Sequence, residues 1–200
     1  MVAFRNNQWK GMLFLTLAII LSGCHSIRPM AVADGGYLDR LPKSPKSILL
    51  VMDDNYRNYV STDRGNDSAD PQTYYVGEAL VPLTETFLKR AYAQVETRAG
   101  MPSDIESQKG KFIIYPKVKS FANQLEIMGC KQTIDVALAA DIFDANRNPV
   151  GQSFGEGSAT ANLGAAAMFL GSTKKSGQTV SWALQDALTQ LVSETVKKTR

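Results

Sequence analysis

Polar and apolar positions alternate along Gln132 to Phe143 more regularly than anywhere else in the chain. Ile134, Val136, Leu138, Ala140 and Ile142 fall on one side of an extended backbone, and Thr133, Asp135, Ala137, Ala139 and Asp141 on the other. A period of two marks a strand with one face packed and the other wet or lightly covered. Asp144, Asn146 and Asn148 supply turn chemistry, so Val150 to Thr160 returns as the partner strand of a hairpin. Gly151, Gly155 and Gly157 fall inside that return strand, where glycine marks a bulge or the close approach of another backbone.

Other segments take other periods. Ser47 to Met52 is a short continuous apolar run, as a buried strand requires, and Gln94 to Arg98 forms a second short strand. Lys111 to Phe121 reads as a third, with Pro116 marking an edge or a bulge because proline brings no ladder donor. Val76, Leu80, Leu83, Phe87 and Ala91 recur at helical spacing, which predicts an amphipathic helix over Val76 to Val95. Pro82 is harmless there only if the helix begins near Gly77 to Val81, placing proline in the first turn. A closing helix spans about Gln178 to Lys197, with Val180, Leu184, Ala187, Leu191 and Thr195 inward and Leu188 and Val192 widening the stripe. Strand, helix, short strand, three meandering strands and a final helix predict an α+β fold. The expectation is a mostly antiparallel sheet of four to five strands with two helices on one face.

Two segments escape both periods. Asp53 to Gln72 is long and polar, holding Asp53, Asp54, Asp63, Asp67 and Asp70 among Asn, Ser and Gly. It reads as an exposed loop on a fixed scaffold, where function concentrates. Tyr56, Tyr59, Asp63, Asp67 and Asp70 are its candidate partner-binding residues: the acids for a basic partner, the tyrosines for amphipathic contact area. The apolar run Ala165 to Leu170 is either a partner- or membrane-touching element or a loop tucked under the core.

The N-terminus carries an address. Arg5 and Lys10 precede an apolar stretch from Gly11 to Leu21, too short to span a bilayer comfortably. Leu21, Ser22, Gly23 and Cys24 follow as a lipobox: small residues for a signal peptidase, then a nucleophilic thiol for diacylglyceryl transfer. Residues 1–23 are therefore expected to be a signal peptide and residues 24–46 a lipidated, flexible tether. Its Pro, Gly, Ala and Ser content gives it a reach of about 25 Å. Docking of Tyr37, Leu38 and Leu41 would shorten that reach. Residues 47–200 form the single domain. The expected modification is a covalent N-terminal lipid including palmitate, and membrane attachment should run through it.

Composition narrows the chemistry. Removing residues 1–23 takes away two of the 22 basic residues and none of the 19 acidic ones, leaving a mature charge of +1. That gives no electrostatic reason to expect nucleic acid. Cys130 is then the only free thiol, so no intramolecular disulfide forms, and a lone cysteine of this kind is usually a small buried hydrophobe. The only histidine, His25, adjoins the lipidation site, which removes Cys–His, Ser–His–Asp and histidine-metal arrangements. A carboxylate pair at Asp53 and Asp54 fits a turn better than a hydrolase, and the spacing of Asp63, Asn66, Asp67 and Asp70 fits no EF-hand. No enzyme, cofactor or metal site is expected.

The lipobox, the helix around Leu80 to Leu88, the strand Ile134 to Ile142 and the helix Val180 to Val196 together resemble the YajG-type family of Gram-negative lipoproteins. The layout is also similar to the small domains of lipoproteins that activate penicillin-binding proteins or build the curli secretion pore. The resemblance implies an outer-membrane, periplasm-facing lipoprotein, since His25 rather than aspartate follows Cys24. It also implies an envelope protein as partner and no catalysis. The function expected is a non-enzymatic binding or assembly module; the alternative is a subunit of an oligomeric secretion or flagellar-type ring. The polar loop from Asp53 to Gln72 lacks the alternation of a membrane hairpin, which speaks against a pore.

Overall fold

The computed structural model describes residues 25–63, 72–102, 110–126, 129–164 and 173–200. In chain order the elements are β1 (His25–Ile27), α1 (Gly35–Leu38), β2 (Ser44–Val51), α2 (Asp54–Arg57), β3 (Ser61–Asp63) and β4 (Gln72–Tyr74). They continue with α3 (Val76–Ala91), β5 (Tyr92–Arg98), β6 (Lys111–Glu126), β7 (Lys131–Phe143), β8 (Pro149–Asn162) and α4 (Thr173–Lys198). The fold is α+β. A five-stranded sheet runs β5-β2-β6-β7-β8, and a three-stranded sheet runs β1-β4-β3.

The large sheet is mixed. β2 pairs in parallel with β5 and β6 over short ladders, whereas β6, β7 and β8 form a long antiparallel meander that makes the sheet mostly antiparallel by length. Ile134, Val136, Leu138, Ala140 and Ile142 are all buried, as their period of two predicts, and all but Ile142 join the main core beneath α3 and α4. The opposite face is less wet than the alternation suggests. Leu49, Val51 and Ile113 are buried there in a second small cluster flanked by Tyr115 and Phe143. That is why Ser47 to Met52 reads as continuously apolar: its strand is covered on both faces.

Both long helices use the predicted stripes. Phe87 on α3 and Val180, Leu184 and Ala187 on α4 are fully buried. The start of α3 departs from expectation, because Pro82 is its seventh residue and not in its first turn. The helix begins early because Gly77 is seated against the preceding chain: its N–H bonds the Tyr59 carbonyl at 2.9 Å. A Cβ on Gly77 would lie 2.2 Å from the Arg57 carbonyl oxygen. Tertiary packing thus overrides the local preference against an interior proline, and the helix forgoes the bond residue 82 would have made to residue 78. The helix ends at Ala91, before the expected Val95, as Tyr92 turns directly into β5.

Pro116 sits where both hints predicted. β2 pairs with β6 only as far as Ile114, so from Pro116 on β6 has a sheet neighbour on one side alone, and the β6–β7 register shifts between Val118 and Ser120.

The expected tether is held on the domain along its described length. His25, Ser26 and Ile27 pair in register with Gln72, Thr73 and Tyr74, Ile27 and Leu41 are buried, and β2 already starts at Ser44. Docking therefore extends well beyond Tyr37, Leu38 and Leu41. The polar composition hid this, because a three-residue strand held by backbone hydrogen bonds leaves little mark on a sequence. Residues 1–24, including the lipobox, lie outside the described residues, as does the run Ala165 to Leu170. Among the described residues, no helix is long and apolar enough to cross a membrane.

Candidate functional site

The segment expected as one exposed loop from Asp53 to Gln72 splits into two parts. Its first part folds back on the core. Asp53, two residues past the end of β2, caps α2, accepting from the Tyr56 N–H at 2.8 Å, which is a typical N-cap role for aspartate. The turn drives Tyr56 inward, where its hydroxyl meets Thr84 Oγ1 at 2.6 Å, and Thr84 in turn donates to the Leu80 carbonyl. Tyr56 is 2 % exposed, so it is a core residue and offers no contact area to a partner. Burial pushes its phenol well above the ordinary range. Arg57 reaches back to the Met52 carbonyl at 3.0 Å, locking the turn onto the strand it leaves.

Tyr59 is the tyrosine that remains at the surface, half-buried at the mouth of a cleft of about 300 Å³. Asp53, Asn55, Tyr56 and Tyr59 form one wall; Tyr115, Pro116, Lys117 and Val118 of β6 form the other. Asp63 is the last residue of β3, in register with Gln72. Asp67 and Asp70 lie outside the described residues, so the structure does not join the expected acidic set into one site. Asp54 is exposed in the first turn of α2 and forms no carboxylate pair facing the cleft.

Tyr115 and Lys117 of the cleft, and Asp141 bonded to Lys117, were not singled out as site residues by the sequence. The Tyr115 hydroxyl donates to Asp53 Oδ2. That bond, helped by the backbone N–H groups of Tyr56 and Asn55, holds the Asp53 carboxyl below its ordinary range. The same contact pushes the Tyr115 phenol up to about 12. Lys117 lies 5.3 Å above the Tyr115 ring and bonds Asp141 Oδ2 at 2.5 Å. Partial burial works against ionisation of Asp141, but Lys117 and Gln152 outweigh it and keep the carboxyl below its usual range. Tyr115 and Lys117 carry a weak signal: alternate polar residues flanking a strand proline. Asp141 sits opposite Tyr115 in the β6–β7 register, which a sequence alone does not reveal.

The Asp53 and Asp141 carboxyls are held toward the ionised form and the Tyr115 phenol toward the protonated one, each already bonded to a neighbour. The cleft offers an aromatic wall, an amide and a cation at the lower end of the size range for ligand pockets. Among the described residues, no three His, Cys, Asp or Glu side chains converge as metal ligands. Cys130 is half-buried in the β6–β7 turn, less enclosed than the small core residue its type suggests. A turn position with a φ of 49° gives it less cover than a strand interior would.

No family model matches the chain, and no curated protein does. Among solved structures it is similar to a hypothetical protein from Chlamydia trachomatis, with a TM-score of 0.48 at 9% identity, over 78% of this chain and 98% of that one. A minor lipoprotein from Acinetobacter baumannii matches with a TM-score of 0.37 at 10% identity, over 78% and 92%. A putative lipoprotein from Caulobacter crescentus matches with a TM-score of 0.30 at 13% identity, over 75% and 83%. All three scores are below 0.5.

Proposed function

We propose that this protein is an envelope lipoprotein, anchored through acylated Cys24, whose domain is a non-enzymatic binding module. The carrying observation is the junction itself. Leu21, Ser22 and Gly23 lead into the lipobox cysteine, which is followed at once by His25, the first described residue of β1. Cleavage before Cys24 would leave β1 intact. The near-neutral mature charge supports a protein rather than a nucleic-acid partner. The cleft between Tyr59 and Lys117 is the surface we assign to that partner. Outer-membrane residence, with the domain facing the periplasm, follows from His25 after Cys24, and the YajG-type resemblance belongs to the same proposal.

Two or more acyl chains hold a protein on a membrane where one does so only marginally. Wild-type protein should therefore stay with outer-membrane fractions through a salt wash and incorporate labelled palmitate. Cys24→Ser should lose the label and leave those fractions. An unchanged membrane fraction for Cys24→Ser contradicts the anchor. A photo-crosslinking residue at Tyr59 should capture the envelope partner in cells, and the same residue at Asn146, in the β7–β8 turn, should not. Equal capture at both positions contradicts the cleft.

A further inference from the structure

We infer that the domain rests directly on the lipid surface, with the end that carries the start of β7, the end of β8 and the start of α4 facing the headgroups. This deepens the lipoprotein reading and rests on acylation of Cys24. The chain's path fixes which end this is. Met30 accepts from Ser181 Oγ at 2.9 Å, and the Asp34 N–H donates to Gln185 Oε1 at 2.6 Å. A Cβ on Gly177 would lie 2.7 Å from the Arg28 carbonyl oxygen. From Arg28 to Asp34 the chain therefore climbs α4 from its first turns toward its middle. β1 precedes that climb and packs against α4, so His25, the residue bonded directly to Cys24, lies at this end of the domain.

The same end collects other elements. On β4, paired with β1, the Tyr74 hydroxyl accepts from Gln132 Nε2 at 3.0 Å, at the start of β7. Lys131 is in register with Asn162, the last residue of β8, whose carbonyl accepts from Lys175 Nζ at 3.3 Å. Lys131, Lys174 and Lys175 are exposed there, beside exposed Glu126.

Two features favour a bilayer as the occupant of this surface. One trans peptide unit spans at most about 3.8 Å between Cα atoms, so an acylated Cys24 leaves the domain no slack, where a free 22-residue tether would have reached about 25 Å. The excess of lysines also suits the anionic headgroups of a bacterial membrane.

The test uses the acylated full chain in vesicles of phosphatidylethanolamine and phosphatidylglycerol that carry a headgroup-located spin-label quencher. The fluorescent amino acid dansyl-alanine replaces either Lys174 or Asn146, the latter at the opposite end of the meander. Quenching at 174 should exceed quenching at 146 at least threefold. Inserting about 20 Gly/Ser residues between Cys24 and His25 adds about 25 Å of reach and should abolish the contrast while membrane binding persists. Equal quenching in palmitate-labelled protein overturns the inference and leaves the anchor standing, and so does a contrast that survives the spacer. Wild-type protein that takes up no palmitate overturns the lipoprotein reading itself, and the inference with it.

Discussion

The two outer strands of the large sheet solve one problem in different ways. An edge strand presents unpaired backbone groups that invite association with another chain. β8 is covered by α4, which lies close and supplies substitute partners from its side chains. Lys198 Nζ bonds the Gln152 carbonyl, Glu194 accepts from the Phe154 N–H at 2.5 Å, and Gln190 accepts from the Glu156 N–H at 3.4 Å. The periods match: four helical residues advance about 6.0 Å and two strand residues about 6.8 Å, so every fourth residue of α4 meets every second residue of β8. Among the described residues, β5 has no such cover. It is a seven-residue strand with exposed Ala93 and Gln94, and its outer end is charged, where Glu96 bridges Lys111 and Arg98. A short, charged edge repels other strands, whereas a long one needs a helix laid along it.

That helix can approach only because β8 presents glycine. A Cβ on Gly155 would lie 2.0 Å from the Ala187 carbonyl oxygen, and one on Gly157 the same distance from that of Ala183. Backbone cannot yield as a flexible side chain can, so Gly157→Val should lift α4 from the sheet. The expected cost is about 1–3 kcal/mol or somewhat more, read as a lowered denaturation midpoint. The matching change on the open edge, Ala93→Val, should shift stability by no more than about 0.5 kcal/mol. Equal losses at the two sites would erase the distinction between the edges.

A smaller effect sharpens the same contrast. Glu194→Ala removes the partner of one β8 amide at a partly exposed site and should cost about 1 kcal/mol. Hydrogen exchange at the Phe154 amide should quicken about fivefold, while amides of β5 should not change. Uniform acceleration across the sheet would show that Glu194 stabilises the whole domain and not that edge.

The smallest expected effect is electrostatic and belongs to β5. Hydrogen bonds from Lys111, then Arg98, hold the Glu96 carboxyl below its ordinary range. A carboxylate so lowered adds stability that is present above its unfolded pKa, about 4.3, and is lost as pH falls through the lower folded value. Asp53 acts with the same sign. Stability should thus be flat from about pH 5 to about pH 9 and decline below pH 4, and Glu96→Gln should remove part of that acid decline. Because the pair is exposed, 1 M salt should weaken it similarly. A decline untouched by Glu96→Gln would place the titrating group elsewhere.

The same comparison explains what the sequence disclosed. The helix stripes and the alternation of β7 were legible because repeated burial at a fixed period leaves a repeated mark. Gly155 and Gly157 announced a close approach, but nothing local identified α4 as the approaching backbone. Gln190, Glu194 and Lys198 looked like an ordinary polar face, since their partners are amides 34 to 46 residues away. At the cleft, the aspartate-rich composition suggested one long loop. A single N-cap at Asp53 instead turned Tyr56 into the core and left Tyr59 outside. Tyr115 became a site residue through its bond to Asp53, and Asp141 through the β6–β7 register. Local chemistry was visible, but long-range pairing was not.

The central claim is that Cys24 joins this domain to lipid with nothing between them. It is tested most directly by mass spectrometry of the tryptic N-terminal peptide from protein extracted from membranes. Trypsin does not cleave Arg28 from Pro29, so the mature peptide should run from Cys24 to Arg40 and carry a diacylglyceryl group and an N-linked acyl chain. A peptide that begins upstream of Cys24, or an unmodified Cys24 at the mature N-terminus, would contradict it.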